Sequence, residues 1–209
     1  MKMTLGRGSA ILVAAGMVAT LCGFAPATHS PTQTDPNVTV IEAPMVAAGF
    51  DEDVARANGY QIVTDANGEK RSVPVTAAAK AAEAQLLAKQ KAEGTISPLA
   101  NVVVGDCGSS RIVIVDGPEF RDAGISTSFN VNRPAVNYSW FVDITGNATS
   151  TRRTFSGGLA FRTSWQHTFV HTVPAAGTYI ASVAKNSNAV LNNGTLCFSG
   201  GPSDTEFIS

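Results

Sequence analysis

His167 and His171 stand four residues apart in the stretch HTFVH. On a helix that spacing turns two imidazoles to one side, where they can share a zinc ion. The chemistry therefore depends on the element that carries them. Trp165, His167, Phe169, His171 and Val173 fall on one side of a two-residue period, with Gln166, Thr168 and Thr172 on the other. β-Branched and aromatic residues fill the stretch, which favours a strand. At 3.3 Å per residue, strand positions four apart lie about 13 Å from each other. Zn–N bonds are about 2 Å long, so one zinc cannot reach both rings. Thr168 also stands where H-E-x-x-H requires glutamate. A strand is expected here, and no metal.

Other reactive groupings fare no better. No G-x-S-x-G elbow is present, and Ser109 and Ser110 in CGSS, between two apolar strands, read as turn serines rather than nucleophiles. Asp116, Glu119 and Asp122 lie in DGPEFRDAG, where their oxygens could meet calcium, but the spacing of an EF-hand is absent. SGGLAF lacks the lysine and the spacing of a phosphate-cradling loop, so no nucleotide cofactor is expected. No catalytic residue is assigned. Arg152, Arg153 and Arg162 form the one local basic accent, suited to an anionic envelope polymer or simply to a solvated strand. Phe161, Arg162 and Trp165 make up the candidate binding group, because exposed rings stack on sugars or anchor a protein partner.

The elements that must hold these residues are strands. From Leu99 onward the chain alternates short runs rich in Val, Thr, Ser and aromatics with Gly, Asn and Pro. ISTSFNVN places Ile125, Thr127, Phe129 and Val131 on one face, and YSWFVDI does the same with Tyr138, Trp140, Val142 and Ile144. Around eight strands in roughly 110 residues suit an antiparallel β-sandwich. In VPAAGTYIASV a turn is followed by Tyr179 two residues into the next strand. This resembles the tyrosine corner of immunoglobulin-like sandwiches, with Trp140 as the core tryptophan. Cys107 and Cys197 would pin strands near the two ends of the domain, unlike the disulfide of antibody domains.

Ahead of residues 99–209 the chain divides into four segments. Residues 1–27 carry Lys2 and Arg7, an apolar run from Ala10 to Phe24, and Ala25-Pro26-Ala27 as a cleavage site, the pattern of a secretory signal. Residues 28–49, rich in Thr and Pro, read as a disordered leader. Residues 50–75 read as a short helix capped by Asp51 and ended by Gly59, then a hairpin turning at Asn67-Gly68. Residues 76–98 begin with an Ala-rich helix whose only large apolar residues are Leu86 and Leu87, which suits a spacer or a docking helix.

Cleavage after Ala27 would remove Cys22 and leave Cys107 and Cys197 as an even pair, expected to form a disulfide in an oxidising compartment. It would also remove two of the 15 basic residues, against 16 acidic ones. No Lys/Arg stripe remains to hold nucleic acid, and no span crosses a membrane once the signal is gone.

In CGSS, YSW, SGGLAFR and GPSD the chain resembles small secreted actinobacterial proteins with a signal peptide and two paired cysteines, over residues 100–209. The resemblance implies secretion and one β domain, and brings no functional residue with it. The sequence thus points to a secreted, non-enzymatic β-sandwich that binds an extracellular protein or glycan, or associates with the envelope. The alternatives are a hydrolase with a site of scattered residues, and an inhibitor of secreted proteases presenting the loop Gly117 to Gly124.

Overall fold

The computed structural model describes residues 40–92 and 106–209; the expected signal segment and Cys22 lie outside them. Its longest elements are β5 (Asp122–Gly146) and β6 (Thr149–Thr172), which form one continuous hairpin. The two-residue turn Asn147-Ala148 has φ of 45° and 57°, the left-handed pair that matches the twist of the flanking strands. Asn at the first position suits it. Along β5 the alternation is the expected one: Ile125, Thr127, Phe129 and Val131 are buried, and so are Trp140, Val142 and Ile144. The buried set passes from odd to even numbers beyond Ala135, and the pairing with β6 shifts register between Asn130 and Ala135 and again between Ala135 and Asn137. An irregularity of this kind moves every later side chain to the other face and bends the ribbon.

That bend decides the architecture. β4 (Gly108–Asp116) pairs with the first half of β5. β1 (Ile41–Phe50) lies between β4 and β9 (Thr195–Ser199), and β9 pairs with β8 (Asn188–Leu191). β8 then returns to β5 beyond the bend, at Ala135 to Ser139, and the five strands close. Farther along β5, residues Val142 to Gly146 pair with β7 (Gly177–Val183), which carries β10 (Ser203–Ile208) at its side. In place of the two separate sheets of an immunoglobulin-like sandwich, the main sheet is continuous and closes as a five-strand barrel with outer strands. The physical reason is that β5 runs through its bend without ending, so its hydrogen bonds carry from one layer to the next.

Trp140, Tyr179, Phe129 and Met45 are the largest fully buried side chains. Trp140 Nε1 donates to Thr127 Oγ1 at 2.9 Å, and Thr127 Oγ1 donates to the Arg111 carbonyl at 3.0 Å, so no donor of the pair is wasted in the core. The expected disulfide is present: Cys107 and Cys197 are bonded, both buried, with Cα atoms 5.8 Å apart. It ties the start of β4 to β9, with β1 hydrogen-bonded to both neighbourhoods. Gly108, at φ 144°, leaves room there for the Asn130 carbonyl, into which a Cβ would collide.

Residues 41–49 correct the expectation of a disordered leader from 28 to 49, whose earlier part lies outside the described residues. Pro44 and the run of alanines disguise β1, because proline is unusual inside a sheet. Pairing of β1 with β9 begins only at Met45, so no bond to β9 requires the missing Pro44 N–H, and the Pro44 carbonyl accepts from Gly200 N at 2.8 Å.

The helix and hairpin form as expected. Asp51 caps α1 (Glu52–Ala57) by accepting from the backbone of Asp53 and Val54, and β2 (Tyr60–Thr64) pairs with β3 (Lys70–Pro74). Thr76 Oγ1 accepts from Ala79 N at the start of α2 (Ala77–Ala92). These pieces share a small core of Ala55, Tyr60 and Ala79, and they dock on the barrel. Asp51 N donates to Gly194 O at 2.8 Å, and Ser72 Oγ donates to Asn193 O at 2.7 Å. Glu83 on α2 receives both ends of the Arg133 guanidinium at 2.6 Å, at the bend of β5. Of the two roles expected for α2, spacer and docking element, its described residues take the second.

Candidate binding site

Midway along β6, Ala160 and Phe161 adopt φ of 46° and 63°, two successive left-handed residues without a glycine. Such conformations cost energy and persist only where the surroundings enforce them. The local reversal leaves Leu159 buried and Phe161 57% exposed. Just ahead, Gly157 and Gly158 pair with Tyr138 and Asn137. A side chain at Gly157 would begin 3.6 Å from Cε1 of Tyr138, so the glycine keeps that ring uncovered.

The result is a cleft of about 650 Å³ between the two halves of the bent ribbon. Tyr138 and Trp165, both half-buried, face each other at its base with ring centroids 4.7 Å apart and planes tilted by 38°. Fully buried Phe129 supports Trp165 from behind at 5.8 Å, and Phe155 touches it at the same separation. Around these rings stand Arg111, Ser128, Asn130, Arg162, Ser164 and Gln166. Arg111 Nε lies 3.2 Å from Glu42 Oε1. The Arg162 side chain makes no hydrogen bond or ion pair with any described residue. Rigid aromatic surface beside convergent amides, hydroxyls and guanidinium groups is the composition of a site for a polar organic ligand.

None of the family models, curated proteins or solved structures compared with the chain matches it. The site must therefore be read from its own residues. Of the three candidates expected from the sequence, Trp165 and Arg162 line the cleft, while Phe161 stands exposed beside it. Tyr138, Gly157 and Arg111 were missed. Strand alternation put Tyr138 on the core face, and only the fold brings β4 alongside.

The other groupings are dispersed or already engaged. His167 and His171 lie on β6 as strand residues. His167 packs against Phe155 at 4.6 Å, and His171 Nδ1 lies 3.4 Å from Arg153 Nη2. Burial, and then the Arg153 charge, hold the His171 pKa below its ordinary value. Among the described residues no three His, Cys, Asp or Glu groups gather as metal ligands. Asp116 accepts from Ser209 N and Oγ at 2.9 and 2.8 Å, and these bonds lower its pKa. Asp122 accepts from Thr172 Oγ1 at 2.8 Å. Gly117 N donates to Asp122 O and Asp122 N to Glu119 O, so the loop proposed to bait proteases is a closed turn with Phe120 71% exposed at its tip. Ser109 and Ser110 lie within β4, paired with Asn130 and Phe129, and not in the expected turn; Ser110 is buried, donates to Ala43 O at 3.2 Å and shares a 2.9 Å hydrogen bond with Ser199. Arg152 is held by both oxygens of Asp143 at 2.6 and 2.7 Å.

Proposed function

We propose that the chain is a secreted, non-enzymatic binding module that holds an extracellular glycan in the β5–β6 cleft. The observation that carries this is the Tyr138–Trp165 pair, open to a cleft whose other walls are largely polar. The C–H face of a sugar ring lies well against indole and phenol, while its hydroxyls meet amides, hydroxyls and guanidinium groups. Secretion is supported by the basic and apolar segments of residues 1–27 and by the buried disulfide. Among the described residues no helix is long and apolar enough to cross a membrane. Buried Trp140 and the Tyr179 corner support an immunoglobulin-like relationship for the facing halves of β5, from which the closed barrel is the departure.

Affinity electrophoresis through gels containing extracellular polysaccharides tests the glycan reading. Wild-type protein is expected to be retarded by at least one of them. Trp165→Ala should abolish the retardation by removing the stacking surface. Gly157→Val should abolish it by filling the cleft over Tyr138, with the fold intact by circular dichroism. Retardation that survives both variants would move the site elsewhere. Turnover of a hydrolase substrate, or stoichiometric inhibition of a secreted protease, would replace the proposal with one of its alternatives.

A further inference from the structure

We infer that the cleft selects saccharides bearing a carboxylate on the sugar ring, with Arg162 as the anion contact. The inference rests on the glycan reading above and adds the charge of the ligand. Two guanidinium groups line the cleft, and among the described residues lining it none is acidic. Arg111 is matched from outside the lining by Glu42, which leaves one cleft cation, Arg162, without a described partner. The neighbouring arginines lie outside the lining: Arg152 is committed to Asp143, and Arg153 lies against His171. Of the basic accent of the sequence, Arg162 is the cation that lines the cleft, beside the two rings that would carry a sugar.

A guanidinium presents a planar fork of N–H donors, and a carboxylate accepts it with two oxygens in one plane. Arg162 is exposed, so a ligand carboxylate can reach its guanidinium directly. A uronate places one negative charge on each sugar, directly on the ring that stacks, so a single ligand unit answers both features of the cleft.

Isothermal titration of the full chain provides the test. The probes are short oligomers of galacturonate, glucuronate and mannuronate, each beside its methyl ester, which keeps the backbone and removes the charge. At least one acid form is expected to bind about tenfold more tightly than its ester, the effect of one charge-assisted contact. Arg162→Gln should bring the acid down to the affinity of the ester. Arg71→Gln, an equal loss of charge on the exposed hairpin strand β3, should leave the tenfold preference in place. Equal binding of acid and ester overturns the inference while the glycan reading stands. So does a preference that survives Arg162→Gln, or binding confined to a sulfated chain. Failure of acids, esters and neutral glycans alike, with the protein folded, removes both.

Discussion

At the corner before β7, Tyr179 Oη donates to Ala175 O at 2.9 Å, and Asn147 Nδ2 donates to Tyr179 Oη and to Ala176 O, both at 3.1 Å. One phenol and one amide thereby tie the tip of the β5–β6 hairpin to the loop ahead of β7. Tyr179→Phe keeps the ring in its buried place and removes the hydroxyl. The expected loss is about 1 kcal/mol, because Ala175 is exposed and water can satisfy its carbonyl. Tyr179→Ala adds a cavity and should cost about 3 to 5 kcal/mol. Denaturant melts check both, and a neutral Tyr179→Phe would contradict the corner. This contact was legible in the sequence because it is local: a turn, a glycine and a tyrosine lie within a few residues. Trp165 and Arg162 were legible as residue types suited to binding. Tyr138 was not, since period-two alternation assigns it to the core and gives no sign that its strand partner is glycine.

Among the elements, α2 shows how far local signals reach. Its helical run follows from propensity and its N-terminal cap from Thr76, yet almost nothing apolar on its described residues indicates where it rests. The anchor is the ion pair of Glu83 with Arg133, joined by a longer contact from Tyr60 Oη at 3.5 Å. Hydrogen bonds from Arg133, against the opposing effect of burial, hold the Glu83 carboxyl below the usual range. A carboxylate with a depressed folded pKa contributes stability that is complete above the unfolded value of about 4.3 and is lost as pH falls through the lower folded value. Protection of α2 from hydrogen exchange, corrected for the intrinsic pH effect, should therefore fall below about pH 4 while the barrel strands keep theirs. Glu83→Gln should reproduce the loss at neutral pH, at about 1 kcal/mol. Unchanged protection in that variant would mean the small core around Tyr60 alone holds the helix. The continuity of β5 escapes local signals for a related reason. Asn132-Arg133-Pro134 has the composition of a break, and only pairing on both sides of it shows that the strand continues.

Across the whole molecule, closure of the barrel depends on β1, the strand its own sequence hides, and on the disulfide beside it. Cys107 and Cys197 are 90 residues apart, so the bridge should contribute about 4 to 5 kcal/mol by restricting the unfolded chain. Both sulfurs are buried, so a reductant should act on the native protein slowly and on the denaturant-unfolded protein at once, with a lower melting temperature afterwards. Rapid native reduction without change in stability would contradict that role. Strand content and the cysteine pairing were legible from the sequence. The closed topology was not, because it is set by long-range register that no short window contains. The claim that the β5–β6 cleft is the binding site meets its most direct test in the two indole N–H signals of an ¹⁵N-labelled sample. Trp140 Nε1 is buried and bonded to Thr127, whereas Trp165 borders the cleft. On titration with a retarding glycan, the Trp165 signal is predicted to shift in a saturable way while that of Trp140 stays fixed. Saturable binding of the same glycan with the Trp165 signal unmoved would place the site elsewhere.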